Sequence, residues 1–139
     1  MENIIHLLHQ GNYSCVIFNK EIRTFTKRGV ADLYDLLYHD AAFLEGAFIA
    51  DKVVGKAAAA LMVLGGIKKV YSDLISLSAL TLLRNAKIEV SYEQMVPFIQ
   101  NRDQTDWCPL EKSCYTAKSA EDILPIIERF INVEKVRTI

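Results

Sequence analysis

Two lysines and an aspartate beside an apolar, alanine-rich run are the first chemical signal in the sequence. Asp51, Lys52 and Lys56 lie next to or within a stretch that continues as AAAALMVL at 57–64. A buried ammonium costs several kcal/mol unless it is paired or reaches water. An anionic ligand at a helix start would supply that partner, because free backbone amides there favour negative charge. These residues therefore predict a ligand-binding site.

Each of the three charged residues also has a structural interpretation. Asp51 would cap the helix that follows it, and Lys56 would extend past its alanine neighbours to water. Under the functional interpretation, Lys52 and Lys56 share one helix face, and a bound anion relieves their mutual repulsion. The stretch is not a Walker A loop, since Ala57 stands where a magnesium-binding hydroxyl is required.

A second group of reactive side chains occupies residues 101–111. Its candidates for binding or catalysis are Arg102, Asp103, Cys108 and Glu111. Cys108 has no histidine nearby in the sequence, and its spacing from Cys114 is not that of a tight zinc site. A structural thiol is therefore the simpler interpretation of Cys108, with a nucleophile as the alternative.

Length and composition exclude several classes of function. The 139 residues fit one domain, 1–139, and 16 basic against 17 acidic residues give no overall field for nucleic acid or a membrane surface. No apolar run approaches the roughly 20 residues of a spanning helix, and the first residues, MENIIH, lack a basic leader. Three cysteines predict reduced thiols rather than a disulfide framework. We expect a cytoplasmic protein with no cofactor.

Hydrophobic periodicity predicts an α/β domain in which strands and helices alternate after an initial hairpin. The predicted helices cover residues 2–9, 30–38, 52–64, 78–86 and 121–133, and the predicted strands cover 13–18, 22–26, 69–75 and 88–92. Residues 46–50 are either a central strand or the entry into the next helix. Residues 96–119 are predicted to be irregular. Parallel crossovers place ligand sites at the carboxyl ends of strands, where Asp51 and Ser76 fall.

Four blocks of the sequence resemble an uncharacterised bacterial family of short proteins. The blocks are ADKVVGKAAA at 50–59, VYSDLIS at 70–76, IEVSY at 88–92, and residues 101–111. That family is similar in fold to the cytidine deaminases. The resemblance implies a three-layer α-β-α architecture, with a mixed sheet begun by an antiparallel hairpin and followed by parallel strands.

The resemblance also implies where the site lies and what it lacks. Cytidine deaminases hold zinc through a His/Cys-Ala-Glu motif at one helix start and a Pro-Cys-x-x-Cys motif at the next. Residues 50–53 and 75–79 stand at those positions here, and none of them is histidine or cysteine. We therefore predict no metal site and no deamination by the standard zinc mechanism.

Two functions remain open. The first is binding of a small anionic or nucleotide-like ligand at the helix starts, by Asp51, Lys52, Lys56, Ser76, Ser78, Arg102, Asp103 and Glu111. The second is a metal-independent enzyme, with Lys56 or Cys108 as nucleophile and Asp51, Asp103 or Glu111 as acid or base. A protein-interaction role for the apolar face of the last helix is a third alternative. Because deaminase-like folds often form oligomers, a homo-oligomer is a further expectation.

Overall fold

A five-stranded sheet forms the centre of the molecule, with strand order β2-β1-β3-β4-β5. The computed structural model describes residues 1–137 apart from Arg28 and Arg102, and their side chains as far as Val133. In chain order the elements are α1 Glu2–Gln10, β1 Cys15–Asn19, β2 Glu21–Phe25, α2 Ala31–His39, α3 Ala41–Leu44, β3 Phe48–Val54, α4 Lys56–Gly65, β4 Lys69–Ser76, α5 Leu77–Asn85, β5 Glu89–Val96, α6 Pro109–Cys114 and α7 Ala120–Arg137.

The sheet is mixed in the way that the sequence predicts. Strand β1 is antiparallel to both β2 and β3, and Val16 lies opposite Thr24 on one side and Ala50 on the other. Strands β3, β4 and β5 are parallel, with α4 and α5 as their crossovers. The predicted α/β class and the hairpin followed by parallel strands are confirmed. The strands β3 and β4 end where α4 and α5 begin, so two helix starts meet at one edge of the sheet.

Helices cover both faces of the sheet, which gives three layers. On one face α1 inserts Ile4 and Leu8 against Val16, Ala50 and Tyr71. The larger core fills the other face, where α4 packs against α2, α3, α5, α6 and α7. Alternating strand residues supply the two cores, because successive side chains of a strand point to opposite faces.

Helix α4 lies inside the helical layer, as its apolar sequence predicts. Every residue from Ala57 to Met62 is buried, and Gly66 ends the helix in the left-handed conformation at φ 76°. The terminal helix α7 packs on α4 and α6 through buried Ile123 and Ile127, so its apolar face is used within the fold. In the described part of the chain, no helix is both long enough and apolar enough to cross a membrane.

The main difference from prediction concerns the boundary between β3 and α4. The predicted helix start at residue 52 is wrong, because β3 continues to Val54 and α4 begins at Lys56. Asp51 lies within the ladder, opposite Cys15 on β1 and Ser72 on β4. Strand β5 is also longer than predicted, and the short helices α3 and α6 were not predicted.

Candidate functional site

The starts of α4 and α5 meet at a junction that closes around a single carboxylate. Glu111, on α6, is only 3% exposed. Its Oε1 accepts from the backbone N–H of Lys56 at 2.8 Å and from Ser76 Oγ at 3.4 Å, and its Oε2 accepts from the N–H of Ile99 at 2.7 Å. A negative charge at a helix amino terminus is stabilised by the unpaired amides and the helix dipole. We call these four residues the helix-start junction.

Local sequence explains how the helix-start junction forms. Gly55 is the residue before α4, has an extended conformation, and provides no side-chain cap for the helix. A Cβ at Gly55 would lie 3.4 Å from Glu111 Oε2, so the small residue allows the carboxylate to approach the first turn. Ser76 caps α5 by accepting from the N–H of Ala79 at 3.3 Å. The chain therefore supplies its own anion at the place where the sequence predicts an external one.

The Lys56 side chain points away from the helix-start junction, toward the residues that follow α6. Its Nζ donates to the backbone carbonyls of Tyr115 at 2.9 Å and Ala117 at 2.5 Å, just beyond the end of α6. Lys56 is 8% exposed, and it takes part in none of the ion pairs formed by the described residues. An ammonium has three N–H donors, and the described residues offer Nζ only these two acceptors. Lys56 is thus a nearly buried cation that forms no ion pair with the described residues.

A surface groove of about 460 Å³ opens beside the Lys56 ammonium, between α5 and the segment that follows α6. Its lining residues are Lys56, Leu77, Ser78, Thr81, Leu82, Asn85, Pro97, Tyr115, Thr116, Ala117 and Lys118. Two of these residues are lysines, and none of the described lining residues is acidic. Lys118 is exposed. We call this feature the Lys56 groove; its local charge is positive.

Asp51 and Lys52 lie away from both features. At about 3.3 Å per residue along a strand, the Cα atoms of Asp51 and Lys56 are roughly 15 Å apart. Asp51 does not cap α4; its Oδ1 accepts from the N–H of Val53 at 3.3 Å. Lys52 Nζ donates to Asn12 Oδ1 at 3.1 Å. The predicted sharing of one helix face by Lys52 and Lys56 is therefore wrong, since Lys52 belongs to a strand.

Desolvation shifts the pKa of Asp51, which is partly buried, and of its buried cross-strand neighbour Cys15. Desolvation raises the pKa of the Asp51 carboxyl to about 7. Burial also raises the pKa of the Cys15 thiol, and the nearby Asp51 carboxyl raises it further. Both groups are thereby held toward their uncharged forms, which is the cheaper state for side chains removed from water.

The remaining predicted site residues are divided between core, loop and groove. Cys108 is half-buried at the start of α6, where its N–H donates to the carbonyl of Ile99 at 2.8 Å, and it does not line the Lys56 groove. Ser78 does line the groove. Asp103 is exposed in the loop before α6. Arg102 lies outside the described residues.

Sequence reasoning missed the segment 115–118, which supplies one wall of the groove. Tyr115 and Ala117 hold Lys56 through backbone carbonyls. Because every residue has a backbone carbonyl, the sequence does not indicate which ones bind Lys56. Lys118 is an exposed lysine among many and has no distinctive neighbours in the sequence. Only the fold brings these residues to Lys56.

The donors at the two helix starts do not fit the zinc site of a deaminase. Helix α4 begins with Gly55-Lys56 and α5 with Ser76-Leu77-Ser78, which offer neither imidazole nor thiolate. Across the described residues, no three His, Cys, Asp or Glu side chains are grouped so that they could hold a metal ion.

Comparisons with known proteins place the chain in a family. A DUF1893 family protein (TM1506) from Thermotoga maritima has a solved structure that matches with a TM-score of 0.84 at 24% identity, covering 93% of this chain and 90% of that one. At that identity the match shows the fold alone. RibD from Acinetobacter baumannii matches at a TM-score of 0.42 and 20% identity, over 66% of this chain and 33% of that one, which is too distant to support an inference. None of the curated proteins matches the sequence. The profile of the family described as TM1506, a domain of unknown function (DUF1893), matches residues 3–131, and the chain therefore belongs to the DUF1893 family.

Proposed function

We propose that this domain binds a small anionic ligand, of which nucleotide-like molecules are one class, in the Lys56 groove. The observation that carries the proposal is the Lys56 ammonium. It is 8% exposed, borders the groove, and has no carboxylate partner among the described residues. Removing a cation from water is costly unless an opposite charge compensates it. A bound anion supplies that charge.

The rest of the groove suits such a ligand. The groove is open to solvent, and its volume of about 460 Å³ is large enough to hold a small molecule. Lys118 adds a second positive charge, and Ser78, Thr81, Asn85 and Thr116 add neutral polar groups. Because no described lining residue is acidic, nothing in the described lining repels an anion. The ligand-binding role predicted for Ser78 and Lys56 is kept in this proposal, whereas Glu111 and Ser76 serve the helix-start junction behind it.

The alternative of a metal-independent enzyme has less support. Lys56 Nζ donates to two backbone carbonyls, an arrangement that holds the ammonium in place rather than freeing an amine for attack. Cys108 and Asp103 do not line the groove. Catalysis by Lys56 or Cys108 therefore stays a prediction, to be tested by borohydride trapping with a carbonyl substrate and by alkylation of Cys108 near pH 7.

Thermal unfolding with inorganic phosphate and pyrophosphate, at matched ionic strength with sodium chloride as the reference, tests the proposed function. Wild type should be stabilised, because a ligand at 100 times its Kd adds about 2.7 kcal/mol. Lys118→Ala removes an exposed groove cation with little effect on folding, and we expect it to weaken pyrophosphate binding about fivefold.

Lys112→Ala is the matched control for Lys118→Ala. Lys112 is also exposed and lies only six residues away, but it does not line the groove. It should bind pyrophosphate as wild type does. The proposal fails if neither anion stabilises wild type, or if Lys118→Ala and Lys112→Ala respond alike.

A further inference from the structure

One aromatic ring at the rim of the Lys56 groove is both exposed and held in place. Tyr115 lines the groove and is 51% exposed. Its ring meets Trp107 edge-on, with centroids 4.8 Å apart and planes at 77°. Trp107 in turn stacks on Phe98 at 4.2 Å and 15°. The three rings form one aromatic cluster, and Tyr115 is the member of it that borders the groove.

The backbone of Tyr115 is fixed as well. Its N–H donates to the carbonyl of Lys112 at 3.3 Å, and its own carbonyl accepts from Lys56 Nζ at 2.9 Å. The residue that carries the exposed ring therefore also anchors the groove's buried cation. The ring and the carbonyl that accepts from the Lys56 ammonium belong to the same residue, which keeps both on one side of the molecule within the dimensions of a nucleotide-sized ligand. Little conformational entropy remains to be lost when a ligand contacts a ring that is already held.

Exposed aromatic rings offer planar ligands a stacking surface. Such contacts tolerate different ring types, because every base has a π-face. Half-exposed Leu77 adds apolar surface to the same groove. A ligand made only of phosphate would leave both of these surfaces unused.

We propose that the groove selects anions that carry a planar aromatic ring, such as a nucleoside monophosphate, and that Tyr115 is the ring platform. The anionic group lies at Lys56 and Lys118, and the ring lies against Tyr115. This inference rests on the proposed function, and it adds a specificity-determining residue that charge alone does not predict.

The test compares adenosine 5′-monophosphate with ribose 5-phosphate, which share the phosphate and differ in the ring. Dissociation constants are measured by calorimetry for wild type, Tyr115→Leu and Tyr115→Phe. In wild type the nucleotide should bind about fivefold more tightly or better, the gain expected from stacking. Tyr115→Leu should abolish that ratio and leave ribose 5-phosphate binding within about twofold, while Tyr115→Phe should keep the ratio.

Tyr38→Leu is the matched control for Tyr115→Leu. Tyr38 has the same exposure, 51%, but belongs to α2 and does not line the groove. Its replacement should leave the ratio unchanged. The chain has one tryptophan, so Trp107 emission gives a second readout. Because Trp107 contacts Tyr115, its emission should change with the nucleotide and much less with ribose 5-phosphate.

The outcomes separate the two proposals. If neither phosphate compound binds wild type, the proposed anion binding is wrong, and the proposed role of Tyr115 is wrong as well. If both bind wild type equally, or if Tyr115→Leu keeps the preference for the nucleotide, the ring platform is overturned while anion binding stands.

Discussion

The helix-start junction and the Lys56 groove adjoin at Lys56, which takes part in both. Its backbone N–H donates to Glu111 within the junction, and its ammonium donates to carbonyls that line the groove. The junction contains a buried carboxylate with donors on both oxygens. The groove contains a nearly buried cation that forms no ion pair with the described residues. A helix start is therefore not free to bind a ligand when the chain itself supplies the anion.

The two regions differ in the partners of their buried charged groups. Among the described residues, no buried side-chain nitrogen or oxygen lacks a hydrogen-bond partner, so the junction has little to gain from a ligand. In the groove the hydrogen bonds of Lys56 are made to neutral carbonyls, which solvate its charge without cancelling it. Mutations in the junction should therefore change stability first, and mutations in the groove should change binding first.

The largest effect should come from Glu111→Ala. The change leaves the N–H groups of Lys56 and Ile99 without their acceptor, and each buried unsatisfied donor costs about 1–3 kcal/mol. We expect a loss on the order of 3 kcal/mol in the free energy of unfolding, measured by urea denaturation. Glu111→Gln keeps one acceptor oxygen and should lose about half as much.

Glu93→Ala is the control for Glu111→Ala. Glu93 is exposed on β5, and its replacement should change the free energy of unfolding by less than about 0.5 kcal/mol. A Glu111→Ala protein as stable as Glu93→Ala would show that the carboxylate does not hold the two helix starts together.

Lys56→Met should have the next largest effect on stability, and it also tests the groove. The substitution removes the ammonium that holds the carbonyls of Tyr115 and Ala117 while keeping a long apolar stem. Hydrogen bonds to charged groups contribute about 1.5–3 kcal/mol, so we expect a loss of about 2 kcal/mol in urea denaturation. Pyrophosphate should no longer stabilise the variant. The exposed Lys68→Met is the control, and retained pyrophosphate binding by Lys56→Met would contradict the account.

Asp51→Asn should change the pH dependence of stability without touching the groove. Burial raises the pKa of Asp51 to about 7, whereas an unfolded aspartate titrates near 4. The folded protein therefore holds this proton more tightly. The resulting stability is fully present below about pH 4 and is lost as the pH rises through about 7.

The Asp51→Asn comparison is made by urea denaturation at pH 5 and pH 8. The variant should lose less stability than wild type between the two values, by roughly 2–3 kcal/mol, because its amide does not titrate. Pyrophosphate affinity should be unchanged, since Asp51 lies away from Lys56. Parallel pH profiles would contradict the raised pKa of Asp51, and weakened pyrophosphate binding would show that Asp51 takes part in the ligand site.

Much of the fold could be predicted from the sequence. The hairpin, the alternation of strands and helices, and the buried α4 all follow from apolar periodicity. The start of α4 could not be predicted because Asp51 and Lys52 are charged residues within a central strand. The strand conformation of Asp51 depends on pairing with Cys15 and Ser72, and the N–H of Lys52 donates to the carbonyl of Ser14; these partners are distant in sequence. The end of β5 was missed because its residues are mostly exposed, and an edge strand without a buried face has no clear alternation.

Only part of the groove's lining could be anticipated from the sequence. Lys56 and Ser78 both line the groove, since each lies near the start of a crossover helix. The partners that decide their roles are not visible in the sequence. Glu111 lies 55 residues from Lys56, and its role as an internal anion depends on how α6 packs. The two carbonyls that hold the ammonium belong to a segment that carried no chemical signal.

A crystal structure with bound pyrophosphate would show which of the two regions binds the anion. We expect phosphate oxygens in the groove, at hydrogen-bond distance of about 3 Å from Lys56 Nζ and close to Lys118, while Glu111 still accepts from the backbone N–H of Lys56. The opposite result is a phosphate on the backbone N–H of Lys56 and on Ser76, with the Glu111 carboxylate displaced. That result would make the helix-start junction the ligand site and the Lys56 groove incidental.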